Sequence, residues 1–114
     1  MENCIFCKIL ARQIPAKIVY EDDTVFAIED VNPKAPVHLL VLPREHLVSL
    51  KEATPDHEAV LGHLHTVAAQ LARDRGLDTQ GYRTVINNGP FAGQSVFHLH
   101  VHVMGGRMFT WPPG

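Results

Sequence analysis

Gly93-Gln-Ser-Val-Phe-His-Leu-His-Val-His-Val-Met104 is the stretch from which the rest of the chain can be read. On a strand, where side chains alternate with period two, His98, His100 and His102 share one face while Phe97, Leu99, Val101 and Val103 point into a core. One face then carries chemistry and the other holds the strand in place. With 8 histidines in 114 residues, a chance His-x-His-x-His has a probability of only ~0.04. Such a ladder reads as a half-exposed polar strand face, as a site for Zn²⁺ or Cu²⁺, or as a set of neutral imidazoles for nucleophilic catalysis. Gly93-Gln94-Ser95 favours the last, because unhindered backbone N–H groups and a hydroxyl just before the histidines form a cradle for phosphate oxygens. A neutral imidazole beside bound phosphate is a competent nucleophile when an acceptor holds its other nitrogen. Three in a row divide the work: one attacks, one orients, and one supplies the leaving group's proton, each from an unperturbed pKa of ~6.5.

Moving outward, the ladder lies in a predicted strand over Val96 to Met104, preceded by the loop Gly89 to Ser95 and a strand over Tyr82 to Asn87. The clearest helix runs from Pro55 to Arg75, with Val60, Leu61, Leu64, Val67, Ala68 and Leu71 at spacings of three and four. Thr54 is its N-cap, Pro55 opens it, and Arg73, Arg75 and Gly76 mark its end. Further back, Val37 to Leu42 is a strand closed by Pro43, after a proline-broken loop over Asn32 to Pro36. Lys17 to Tyr20 and Thr24 to Ile28 form a hairpin around Glu21-Asp22-Asp23, and Cys4 to Leu10 is a short helix. Strands joined mostly by short turns, with one long helix, predict an antiparallel α+β fold in one domain over 1–114, of which 105–114 is a C-terminal tail.

Composition narrows the function. A net charge of −2 without a Lys/Arg cluster argues against polymeric nucleic acid. No apolar run approaches the roughly 20 residues of a membrane span. Two cysteines cannot build a disulfide framework, and no signal-peptide layout opens the chain, so a cytoplasmic setting is expected.

Beyond these readings, the ladder with Gly93-Gln-Ser-Val-Phe97, the following Gly105-Gly-Arg and the ending Trp111-Pro-Pro-Gly114 resembles the histidine-triad (HIT) superfamily, specifically its nucleotide-binding (HINT) branch. The likeness extends to Ile5-Phe6, Ile14-Pro-Ala-Lys17, Glu21-Asp22, Ala35-Pro-x-His38 and Gly81-Tyr-Arg83, nearly the whole chain. It implies a HIT-like antiparallel sheet with one long helix and a short N-terminal helix, two protomers pairing into a continuous sheet. It also implies a homodimer that hydrolyses adenosine or guanosine phosphoramidates and aminoacyl-nucleotide adducts through a nucleotidyl-histidine intermediate. His100 takes the nucleophile's place, His102 and His38 those that orient and protonate, and His98 is the first triad histidine. Asn87, Gly93, Gln94 and Ser95 match the phosphate-contacting region and Asp30 the ribose-binding carboxylate. Ile5, Phe6, Ile9, Ile28 and Val31 would wall the base, and Trp111 would stand near the other protomer's pocket.

Cys4-x-x-Cys7 supplies half of a tetrahedral zinc site, which two imidazoles would complete. His46, after Pro43-Arg-Glu, is the expected third ligand. His98 is the fourth, because zinc-bearing relatives turn the first ladder histidine to the metal. Two buried free cysteines or a redox pair are the alternatives. Zinc would be structural, with no cofactor required for catalysis. His57, His63 and His65 on the long helix receive no function. Rival functions are a dinucleoside polyphosphate hydrolase, which the Trp-Pro-Pro-Gly ending opposes, a nucleotide-binding sensor or scaffold with incidental turnover, and a metal-storage protein or metal-dependent hydrolase.

Overall fold

A computed structural model describes residues 3–114. Helix α1 (Ile5–Leu10) leads into strands β1 (Ile18–Glu21), β2 (Val25–Glu29) and β3 (Val37–Pro43). The long helix α2 (Glu58–Asp74) follows, then β4 (Tyr82–Val85) and β5 (Val101–Gly105). The five strands form one antiparallel sheet in the order β1-β2-β3-β5-β4, as the α+β reading predicts.

Strands β2 and β3 sit inside the sheet and are buried on both faces, and their pleat sorts the side chains into two layers. Val25, Ala27, Leu39, Val41, Val101 and Val103 pack against Leu64, Val67, Ala68 and Leu71 of α2. On the opposite face Phe26, Ile28, Leu40 and Leu42 pack against Phe6 and Ile9 of α1. The sheet thus lies between a long helix and a short one, and the short one leaves part of its face uncovered.

The ends of α2 follow its sequence signals with one change. Pro55–His57 forms a 3₁₀ turn, and the α-helix begins at Glu58. His57 closes that turn by accepting the Thr54 N–H on Nδ1 at 2.9 Å. At the C-terminus Gly76 takes φ +71°, its N–H bonds to Arg73 and that of Leu77 to Ala72, both at 2.9 Å, the paired bonds of a Schellman ending. His63, to which the sequence gives no role, fastens α2 to the β1–β2 hairpin. Its Nε2 lies 2.6 Å from Asp22 Oδ2, which also accepts the Tyr20 hydroxyl at 2.6 Å. Asp22 Oδ1 meanwhile accepts the N–H groups of Thr24 and Val25, shaping the turn.

The predicted strand over 96–104 is corrected: β5 starts only at Val101, so His98 and His100 precede it. Its pairing with β3 stops at Val41↔Val101 although β3 itself runs on to Pro43, and β4 stops at Val85, short of the expected Asn87. Residues 96–100 instead find partners singly. The Leu99 N–H bonds to Leu47 O, and the His98 side chain takes the Pro43 carbonyl. Phe97, expected in the core, is 47 % exposed for the same reason. Among the described residues no helix is long and apolar enough to cross a membrane.

Candidate active site

The uncovered part of the sheet beside α1 is a cleft of about 300 Å³. Ile5, Phe6, Ile9, Ile28 and Val31 wall it, Asp30 stands at its rim, and Ser95, His100 and His102 line it too. Ile14, Pro15 and Ala16, from the Ile14-Pro-Ala-Lys17 stretch, add wall that residue-by-residue reasoning missed. A larger hollow of about 500 Å³ lies on the other side of Ser95 and Val96, flanked by His46 and Phe97, and no His38, His100 or His102 lines it.

His100 has a defined tautomer. Its Nδ1–H donates to the His98 carbonyl at 2.7 Å, which leaves the Nε2 lone pair free. The ring is 7 % exposed, with Phe6 edge-on at 5.2 Å and His102 at 4.9 Å. Burial lowers its pKa against the opposing pull of the His98 carbonyl, so the imidazole is neutral at pH 7.

His38 and His102 form a hydrogen-bonded pair. They sit on β3 and β5, where His102 faces Leu40 across the ladder, so His38 is its diagonal neighbour on the same face. The Lys34 N–H donates to His38 Nδ1 at 3.0 Å, which places the His38 proton on Nε2, 2.9 Å from His102 Nδ1. His102 then carries its own proton on Nε2. An Asp30 carboxylate oxygen lies 3.3 Å from His38 Nε2. Burial, then the neighbouring His100 and His38, push His102 down to about 4. Burial likewise lowers His38, against the Asp30 charge. The Lys34 and His98 main-chain groups that set these tautomers have no signature in sequence, since every residue has them.

The loop before the ladder is braced by two positive-φ glycines and one buried amide. Gly89 and Gly93 adopt φ +88° and +87°, backbone that residues with a Cβ rarely take. Gln94 is buried and turned inward: its Oε1 accepts the Gly89 N–H at 2.8 Å and its Nε2 donates to Val48 O at 2.6 Å and Val96 O at 3.2 Å. Its side chain therefore supports the loop instead of facing the cleft. Asn87 is half-buried beyond β4 and outside the cleft wall, and Trp111 is 82 % exposed.

His98 belongs to a second cluster. Its ring is fully buried, and Nε2–H donates to Pro43 O at 2.8 Å, so the Nδ1 lone pair faces inward. Nδ1 lies 3.3 Å from Cys4 Sγ and 3.5 Å from Cys7 Sγ, while His46 Nδ1 lies 3.3 Å from Cys7 Sγ. All four donor atoms fall within 4.8 Å of one another. A tetrahedral zinc with ordinary Zn–S and Zn–N bonds has S···N edges of ~3.5 Å, so the spacing and the S₂N₂ donor set fit such an ion. The Pro43 carbonyl is the outer partner that a ligating histidine uses to fix its ring. The Cys7 N–H donates to Cys4 Sγ at 3.3 Å. Both cysteines are free, and burial and the adjacent Cys4 push the Cys7 thiol up to about 11.

Residues 11–109 match the model of the HIT domain family. An uncharacterized HIT-like protein of Synechococcus elongatus is 56 % identical over 113 residues, covering 99 % of this chain and 98 % of its own. The 14 kDa zinc-binding protein of Zea mays is 48 % identical over 112 residues, 96 % of this chain and 87 % of its own. Among solved structures, a HIT family hydrolase from Legionella pneumophila superposes with a TM-score of 0.96 at 43 % identity, covering 98 % of this chain and all of its own. With its sheet, its cleft and its histidines arranged as described, this chain belongs to the HIT domain family.

Proposed function

We propose that this protein hydrolyses purine nucleoside phosphoramidates at the α-phosphorus, by way of a nucleotidyl-His100 intermediate, as a member of the nucleotide-binding branch of the family. The observation that carries the reading is the His100 Nδ1–H bond to the His98 carbonyl, which leaves Nε2 unprotonated on a ring that lines the apolar cleft. The apolar walls suit a purine, Asp30 suits the ribose hydroxyls, and Ser95, which lines the same cleft as His100, suits a phosphate. The hydrolase character of the Legionella relative agrees with this chemistry.

In the first step Nε2 of His100 forms a bond to phosphorus as the P–N bond breaks, and the departing amine takes a proton from the His102–His38 pair. In the second, water attacks phosphorus from the side the amine has left, opposite His100, the P–His100 bond breaks, and the water's proton returns to the pair. Both displacements develop charge on phosphate oxygens, which the Gly93–Ser95 main chain and the Ser95 hydroxyl stabilise. No metal takes part in either step.

Zinc at Cys4, Cys7, His46 and His98 is part of the same proposal. The donor set and spacing favour it, as does the zinc-binding relative in maize. So is a homodimer, in which an edge strand continues the sheet and the exposed Trp111 reaches the partner's cleft. Two free thiols suit the cytoplasm.

The test is AMP release from adenosine 5′-phosphoramidate by the purified protein beside His100→Ala. We expect turnover by the wild type and a loss of at least about 10³-fold in kcat for the variant. A folded wild type that releases no AMP sinks the proposal.

A further inference from the structure

His98 serves both clusters at once. Its ring faces Cys4 and Cys7, and its carbonyl holds Nδ1–H of His100 at 2.7 Å. Helix α1 has the same double membership. Cys4 is its N-cap and Cys7 lies in its first turn, while Ile5, Phe6 and Ile9 of that helix wall the cleft. Phe6 stands edge-on to His98 and His100 together, at 6.0 and 5.2 Å. Six residues are too few for a helix to be stable by itself, so α1 holds its place only through what it packs against and what ties it down. Phe6 and Ile9 supply the packing, against Phe26, Ile28, Leu40 and Leu42. The tie is the pair of sulfurs brought to the imidazoles of His46, on the loop after β3, and His98.

We propose that metal binding at Cys4, Cys7, His46 and His98 and nucleotide binding in the cleft are thermodynamically coupled, with α1 and the His98 main chain as the coupling element. The inference rests on the nucleotide reading given above. An ion held by two groups of α1 and two of the sheet side fixes the helix before a base arrives. The wall formed by Ile5, Phe6 and Ile9 is then preformed, and the nucleotide no longer bears the entropy of ordering it. The same ion fixes the His98 ring between metal and Pro43, and so steadies the carbonyl that keeps His100 in its Nδ1–H tautomer. Linkage makes the effect reciprocal: whatever factor zinc adds to nucleotide affinity, nucleotide adds to zinc affinity. His46 separates the two sites, since it belongs to the metal cluster and lines no part of the nucleotide cleft.

The experiment titrates the zinc-loaded full chain with a chromophoric chelator at zero and at saturating AMP, which does not require the metal-free protein to stay folded. AMP affinity is then measured by calorimetry with and without zinc, on the wild type and His46→Ala. We expect AMP to tighten zinc about 10-fold and zinc to tighten AMP by the same factor. Co²⁺ in place of zinc is expected to give the visible absorption of a tetrahedral S₂N₂ site that changes on adding AMP, and His46→Ala to bind AMP with an affinity indifferent to zinc. Zinc affinity that is the same with and without AMP overturns the coupling, as does a chain that binds no zinc, or a His46→Ala protein that retains the wild-type response. A protein that binds zinc but no AMP in either form overturns the nucleotide reading itself, and the coupling with it.

Discussion

Nδ1 of His100 lies 2.7 Å from the carbonyl oxygen of His98, two residues before it in the chain. That short bond decides which ring nitrogen carries the proton, and it is made within the irregular segment that precedes β5. Nitrogen NMR at pH 7 should therefore find His100 as the Nδ1–H tautomer, with Nε2 unprotonated. An Nε2–H tautomer would remove the nucleophile from this account.

Binding of AMP should take up protons. Burial holds His102 at about 4 and keeps His38 and His100 below the ordinary histidine value. An anionic phosphate beside them supplies an opposite charge and raises those values toward neutrality. Calorimetry of AMP binding near pH 6.5 in buffers of different ionisation enthalpy should show net uptake on this pair. An observed enthalpy independent of buffer would rule that out and leave the amine's proton to come from solvent.

The same depressed value makes the fold acid-sensitive. His102 binds its proton in the unfolded chain below about 6.5 but in the folded chain only below about 4, so between those values the unfolded state holds more protons. Stability therefore rises with pH across that window and is lost as pH falls through it. Thermal unfolding followed from pH 7 to 4 should show a falling Tm, and His102→Asn should flatten that slope. An unchanged slope in the variant would place the acid sensitivity elsewhere.

Gln94→Leu keeps the side chain's bulk and removes three hydrogen bonds, one from the Gly89 N–H and two to the carbonyls of Val48 and Val96. Leaving the Gly89 N–H and the Val48 carbonyl without these partners should cost about 1–3 kcal/mol in denaturant unfolding. Because the loop presents Ser95, kcat for the phosphoramidate should fall as well. Wild-type stability together with wild-type kcat would show that the turn does not depend on Gln94.

Much of the fold could be read along the chain. The period of α2, the glycine at its end, the buried runs of β2 and β3 and the Asp22 turn are local signals that appear in the structure where their residues put them, while Pro55 opens a 3₁₀ turn ahead of the helix. The start of β5 could not be read, because Val96 to Met104 has strand-like alternation throughout and nothing in that stretch records where its pairing with β3 and β4 stops. Gln94 shows the same limit at the site. Its neighbours Gly93 and Ser95 suggest a phosphate loop from sequence, but whether the Gln94 amide faces outward or the loop behind it depends on Val48, 46 residues away in sequence.

Sequence alone determined which chemical groups are present and which surface of each element is apolar, because side-chain type and period are properties of a short stretch. It therefore supplied the histidines, the cysteine pair, the strands and the two helices. Tertiary structure alone decided how three histidines spaced alike came to do different things: Pro43, Cys4 and Cys7 draw His98 inward, the His98 carbonyl fixes His100, and His38 reaches His102 from another strand. A ring's tautomer and pKa are set by whatever lies within about 4 Å of it, and in this protein most of those partners are far away along the chain.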